Sequence, residues 1–314
     1  MPSLHPDLSR FRFLPSFDLG PRTASMARGL TARMPAPKLK GVSVETVVAP
    51  GPAGAPEIRL RIYRPENLAP NAPALLWIHG GGFVLGNPKQ DEQSSAGYAK
   101  ELGILVVAVH YRLAPKHPFP APLEDCYAGL KWLHAEAARL GIDRDRIMIG
   151  GASAGGGLTA GLALLAQERQ EVKLAFQLLI YPMIDDRTVT RAAAAESKSL
   201  RLWTPGSNHF GWSSYLGREP GSEGVHSHAA PARHADLSGL PPAWLGVGTN
   251  DLFHDEDVEY AKRLQAAGVP CDVTIVPGAF HGFDAVAQNS NVTREFREAQ
   301  LASMRRVLSA KRQP

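Results

Sequence analysis

The chain has 314 residues, 44% hydrophobic and 20% charged, with a net charge of +4 and a pI of about 9.1. That composition is ordinary for a soluble globular protein with a core large enough to bury a wide sheet, and no stretch is long enough to cross a bilayer. The Lys and Arg are spread along the chain without a dense basic run or basic–aromatic interleaving, which argues against a nucleic-acid partner.

The first forty residues are irregular, rich in Pro and Arg, with no clear strand. They carry a mild basic bias: Arg10, Arg12, Arg22, Arg28, Arg33, Lys38 and Lys40 face only Asp7 and Asp18. A solvated surface is the plain reading, and a weak pull on anionic substrates or membrane surfaces the sharper one. The opening MPSLHPDLSRFRF lacks the apolar run of a signal peptide, so the expected location is cytoplasmic. Residues 42–48 and 58–63 then alternate apolar and polar around the turn-rich PGPAGAP, the pattern of half-exposed antiparallel strands.

After residue 70 the pattern changes. Residues 74–78, 104–109, 146–149, 174–180, 243–247 and 273–276 are short, nearly continuous apolar runs, as in strands buried on both faces of a parallel sheet. Between several of them lie helical segments. Residues 122–140 place Leu123, Cys126, Tyr127, Leu130, Leu133 and Ala137 on one face, and 153–167 and 255–267 also read as helices. Cys126 on that apolar face reads as a buried free thiol, and with Cys271 it has neither zinc nor redox spacing. Strand–helix alternation predicts right-handed crossovers and a doubly wound α/β sheet, mostly parallel and flanked by helices. Residues 185–235 break the alternation. They hold a charged, Ala-rich helix candidate and then Trp203, Phe210, Trp212 and Tyr215. This insertion looks like a lid and, with the N-terminus, like a small helical cap. The last strand is expected at the sheet edge. Asn291-Val292-Thr293 fits a glycosylation acceptor but has no secretory context.

Gly151-Ala152-Ser153-Ala154-Gly155 is a G-x-S-x-G pentapeptide between an apolar run and a helical pattern, the strand–elbow–helix context of a nucleophilic serine. His79-Gly80-Gly81-Gly82 follows another strand, and three glycines let backbone N–H groups turn inward. The amides of Gly81, Gly82 and Ala154 are the expected oxyanion donors. A serine nucleophile needs a base, and the base an orienting acid. Of eleven histidines, His281 stands beside Gly282 after the last strand, where open α/β sheets place their sites. Asp251 likewise follows a strand, whereas Asp255 and Glu256 read as charges complementing the next helix dipole. The expected triad is Ser153, Asp251 and His281, in the chain order of α/β hydrolases. Phe83, Trp203, Phe210, Trp212 and Tyr215 are either ordinary packing or walls of an acyl pocket.

HGGGF at 79–83, YRLAPKHPFP at 111–120, GASAGGG at 151–157, YPMID at 181–185, NDLFHDED at 250–257 and FHGF at 280–283 resemble, in order, the motifs of the hormone-sensitive-lipase family of bacterial esterases. The resemblance runs from about residue 40 onward. It implies the α/β-hydrolase fold, a carboxylesterase for short- to medium-chain small-molecule esters, no cofactor or metal, and homodimers using the last-strand region. It divides the chain into an N-terminal cap segment (1–45), the first part of the core (46–184), an inserted cap segment (185–235) and the second part of the core (236–314). The chain departs from the family at Ala152, usually Asp or Thr, and at Leu252, usually Pro. An Ala152→Asp change is expected to be tolerated, because related chains accommodate it. Amide or thioester hydrolysis would use the same machinery. A non-catalytic receptor of the kind that has lost its His fits poorly with His281, and a metal hydrolase lacks a ligand cluster.

Overall fold

The computed structural model describes residues 3–14, 18–32, 39–192 and 200–309. Arg33, Lys38 and residues 193–199 of the Ala-rich helix candidate lie outside the described residues. A 3-10 turn at Pro6–Phe13 and helix α1 (Pro21–Ala32) precede strands β1 (Val42–Ala49), β2 (Ile58–Pro65) and β3 (Ala72–Ile78). Then come α2 (Glu92–Leu102), β4 (Leu105–His110), α3 (Ala121–Ala135), α4 (Ala137–Leu140), β5 (Ile142–Ala152) and α5 (Ala154–Arg169). The second half runs β6 (Phe176–Ile180), α6 (Thr188–Ala192), α7 (Pro205–Leu216), β7 (Ala243–Asn250), α8 (His254–Ala266), β8 (Cys271–Phe280), α9 (Phe283–Val286) and α10 (Asn291–Ser309).

These strands form one sheet in the order β1-β2-β4-β3-β5-β6-β7-β8. The two alternating segments pair antiparallel from Val42↔Pro65 to Ala49↔Ile58, and β2 continues antiparallel onto β4. From β4 to β8 every pairing is parallel. The continuous apolar runs of the inner strands are buried on both faces: all five residues of β6 and Leu75 to Ile78 of β3 are withdrawn from water. The run at 273–276 differs from expectation, because β8 is the edge strand and leaves Val273 and Ile275 exposed. Parallel strands need crossovers, and the helices that supply them cover both faces.

The N-terminal segment read as irregular holds helix α1, and two further elements differ from the sequence expectation. The helix expected over 122–140 breaks at Glu136, whose amide turns to the His134 and Trp132 carbonyls, and α4 then ends at Gly141 in the left-handed region. The apolar face is nonetheless buried throughout, Cys126 included. Strand β5 begins at Ile142 rather than at 146, because its first part carries Asp143, Arg144 and Asp145 and so has no apolar signal. Across the loop at 111–120, Arg112 grips both oxygens of the fully buried Asp125 at 2.7–3.1 Å, a charge-assisted fork that fastens this loop to α3.

The N-terminal segment and the insertion meet over the ends of the parallel strands. The Leu19 amide donates to Ser207 Oγ at 2.9 Å, Thr204 Oγ1 donates to Asp18, and Arg201 donates to the Arg12 carbonyl at 3.0 Å. Arg28 on α1 joins the loops after β3 and β4, donating to the carbonyls of Val84 (2.6 Å) and Ala114 (3.1 Å).

Candidate active site

Strand β5 ends at Ala152 and α5 begins at Ala154, so one residue makes the turn. Ser153 takes it at φ 56°, ψ −122°, a conformation disfavoured for any residue with a Cβ. Its amide donates to the Ile180 carbonyl (2.9 Å), and its carbonyl accepts from Gly157 (2.9 Å) and Met183 (3.0 Å). The flanking glycines are required by close approach: a Cβ on Gly151 would strike the Gly155 carbonyl, and one on Gly155 the Ile78 carbonyl.

The ends of β7 and β8 bring the other two groups to this elbow. His281 Nε2 lies 2.9 Å from Ser153 Oγ, and its Nδ1 lies 2.8 Å from Asp251 Oδ2. The second oxygen of Asp251 accepts the Phe253 amide at 3.0 Å. With a carboxylate at Nδ1, that nitrogen carries the proton, and Nε2 is left to accept from the serine hydroxyl. Ser153, Asp251 and His281 are only 6–8% exposed. Tyr181 and Phe253 pack edge-on against the imidazole, centroids 4.8 and 5.1 Å away.

The glycine loop after β3 turns back beside Ser153. Gly81 and Gly82 have φ of 118° and 59°, which only glycine adopts readily. The Gly81 carbonyl accepts the amides of Val84 (3.1 Å) and Leu85 (3.0 Å), while the amides of Gly81 and Gly82 have no protein acceptor among the described residues. His79 anchors the loop. Its ring stacks on Tyr111 at 4.2 Å, its Nδ1 lies 2.8 Å from the Gly80 carbonyl, and the Tyr111 hydroxyl donates to the His79 carbonyl at 2.9 Å. Full burial pushes His79 down to about 3, so it stays neutral.

A family model described as the alpha/beta hydrolase fold matches residues 75–285. The carboxylesterase NlhH of Mycobacterium tuberculosis is 35% identical over 265 residues, covering 82% of this chain and 81% of that protein. The chain belongs to the hormone-sensitive-lipase family of α/β hydrolases. Among solved structures, a bacterial heroin esterase superposes with a TM-score of 0.91 at 39% identity, covering 98% of this chain and 99% of that one. An esterase of Pyrobaculum calidifontis superposes at 0.82 and 31% identity, over 98% and 100% of the two chains.

Within this hydrolase-family site, the aromatic residues expected at the pocket separate into two groups. Trp203 reaches the site: a Cβ on Gly82 would strike its indole, and its ring centroid lies 6.2 Å from that of His281. Phe83, Trp212 and Tyr215 do not present surface to a ligand. They are 0–1% exposed because Phe83 stacks on Tyr215 at 4.0 Å and tilts against Trp212 at 5.3 Å, which packs the end of the glycine loop against α7. Phe210 is half-buried against the core on α7. Tyr181 and Phe253 are contacts of the imidazole not singled out as site residues from sequence, although both lie in the quoted motifs YPMID and NDLFHDED.

Glu256 lies in the first turn of α8, as the helix-start reading has it, but it also does more: it is buried and accepts from the amides of Ile184 (2.8 Å) and Asp185 (3.1 Å) and from the Thr188 hydroxyl. It pins the start of the insertion to α8. Behind the elbow, Ala152 lines a cavity of about 750 Å³ with Asp91, Asp284, Trp77 and Tyr181. Asp91 accepts from Trp77 Nε1 (2.9 Å) and Asp284 from the Tyr181 hydroxyl (2.6 Å). Burial pushes Asp91 up to about 6 and raises Asp284 as well.

Proposed function

We propose that this chain hydrolyses short- to medium-chain acyl esters through an acyl-enzyme on Ser153, with His281 as general base and acid and Asp251 fixing its tautomer. The observation that carries the reading is the unbroken relay from Ser153 Oγ through His281 to Asp251, at 2.9 and 2.8 Å. The chain is a carboxylic-ester hydrolase of its family.

In the proposed cycle Ser153 Oγ attacks the ester carbonyl carbon while His281 Nε2 takes the hydroxyl proton. Negative charge on the carbonyl oxygen meets the amides of Gly81, Gly82 and Ala154, the last at the start of α5 where the helix dipole adds to the field. His281 then hands its proton to the leaving alcohol, and the C–O bond breaks to leave Ser153 acylated. Water repeats the attack with His281 again as base. Collapse returns the proton to Ser153 and releases the acid.

The N-terminal segment and the insertion act together as a cap, supported by the bonds from Leu19, Asp18 and Arg12 to residues 201–207. Trp203 belongs to the pocket wall, on its approach to Gly82 and His281. Each methylene gains about 0.8 kcal/mol until the acyl pocket is full, after which overpacking reverses the gain. A homodimer through the edge strand β8 and a cytoplasmic location belong to the same reading. Neither a nucleic-acid partner nor a membrane anchor is part of it, and no helix among the described residues is long and apolar enough to cross a membrane.

The deciding experiment measures kcat/KM on chromogenic linear acyl esters. Values should rise across short chains, peak at short to medium length and fall for long ones, with Trp203→Ala shifting the peak to longer chains. Ser153→Ala should stay folded and lose about 10⁴-fold in turnover. Highest activity on emulsified long-chain triglycerides, or undiminished activity in Ser153→Ala, defeats the proposal.

A further inference from the structure

We propose that a cleft next to the oxyanion loop binds a small soluble ligand bearing a phosphate-monoester dianion. The cleft has a volume of about 460 Å³ and lies between β2, the end of β4, α1 and the turn at Pro88–Asp91. Arg28, Arg59, Arg61, Lys89 and His110 line it, and its lining contains no Asp or Glu. Two of the cations are already engaged: Arg61 pairs with Glu92 and bonds Thr46, and Arg28 holds the Val84 and Ala114 carbonyls. The exposed side chains of Arg59 and Lys89 make no hydrogen bond or ion pair among the described residues. Arg59 lies directly opposite His110 in the β2–β4 register.

Two uncompensated positive charges beside a third donor, walled by Leu60, Leu113 and Pro88, concentrate positive potential in a recess. A dianion matches that pair of charges, whereas a monocarboxylate leaves one unmet. Arg59 and Lys89 stand on separate elements, so an oxyanion with several acceptor oxygens can meet both at once. A recess favours a soluble ligand over the headgroup of a flat lipid surface. The site takes no part in the ester chemistry, so it stands or falls apart from the proposed function.

His110 serves as the reporter. The packing around its ring lowers its pKa, and the neighbouring Arg59 lowers it further. Arg28 from α1, Arg61 from β2 and Lys89 from the turn are the other charged groups facing the cleft, all cationic. A bound dianion stabilises the protonated imidazole, so occupancy moves the His110 titration upward.

The test is an NMR titration of the full chain with inorganic phosphate at constant ionic strength, following the His110 ring resonances, with chloride as the control salt. A saturable shift with phosphate alone, and a raised His110 pKa at saturation, is the expected result. In the Arg59→Gln/Lys89→Gln double variant the apparent Kd should rise by at least about tenfold, with ester turnover unchanged as the check on folding. An equal effect of chloride, or undiminished phosphate binding in the double variant, overturns the proposal. Co-sedimentation with phosphatidylglycerol vesicles in the absence of saturable phosphate binding overturns the soluble-ligand assignment.

Discussion

Ser153 holds its Oγ out of the sheet by accepting a backbone conformation that costs about 1–3 kcal/mol, against which three backbone hydrogen bonds are set. Beside it, Gly82 has no room for a side chain: φ is 59° and the Trp203 indole closes the space above it. Gly82→Val should therefore lower kcat by roughly 10²–10³-fold, the cost of one misaligned oxyanion donor, and steady-state kinetics on a short ester checks it. Ala152 changes the expectation drawn from its relatives. A carboxylate there would enter a cavity already holding Asp91 and Asp284, two acids that burial has raised. A third carboxyl held above its unfolded pKa keeps a proton that the unfolded chain releases, so its contribution to stability falls as pH rises above the ordinary carboxylate range. The Tm deficit of Ala152→Asp should grow between pH 5 and pH 8. An unchanged Tm at both pH values would mean that a partner in the cavity accepts the charge.

Helix α8 is amphipathic in sequence, but its first turn carries two acids that the fold buries. Glu256 is satisfied by the insertion's backbone, while both oxygens of Asp257 are buried without a hydrogen-bond partner among the described residues. Burial, reinforced by Glu256 and Asp251, raises the Asp257 carboxyl well above its usual range. It remains protonated where the unfolded chain has already lost that proton, so its contribution is greatest below the unfolded value and is lost with rising pH. The slope is about 1.4 kcal/mol per pH unit until the folded group itself ionises. Replacement by Asn removes the titration. Denaturant melts at pH 5, 7 and 9 should show the parent losing stability relative to Asp257→Asn, and parallel curves would mean that Asp257 is ionised in the fold. Nothing in the spacing of HDEDVEYA distinguished Asp255, which stays in solvent, from its two buried neighbours. The difference arises because the insertion and β7 happen to pack on only one side of the helix start.

At the scale of the molecule, the sheet has two unlike edges. At one, β1 alternates and faces water along most of its length; at the other, β8 leaves Val273 and Ile275 39% and 44% exposed on one face, while Asp272 pairs with Arg306 of α10. An open edge with apolar residues invites pairing, and the proposed homodimer places a second copy there. Light scattering should give a dimer for the parent and a monomer for Ile275→Lys. A monomeric parent at high concentration would reject the assembly. The order of the strands also explains how distant residues form one site: β5, β7 and β8 run parallel, so the segments leaving them open onto the same end of the sheet, where the N-terminal segment and the insertion close over them.

The features legible in the chain are those that neighbouring residues enforce. The elbow is legible because a single-residue turn between strand and helix demands small residues two places either side of Ser153, and the glycine loop is legible because its backbone needs positive φ. The inner parallel strands are legible because burial on both faces leaves few polar positions, Gln177 of β6 being an exception. Which distant groups meet follows from packing across the sheet. His281 and Ser153 are 128 residues apart in the chain and 2.9 Å apart in space, a distance set by the strand order rather than by any local spacing. Packing also decided that Trp203 faces the site while Phe83, Trp212 and Tyr215 turn onto one another, since a buried aromatic ring has the same sequence signature whichever cavity it fills.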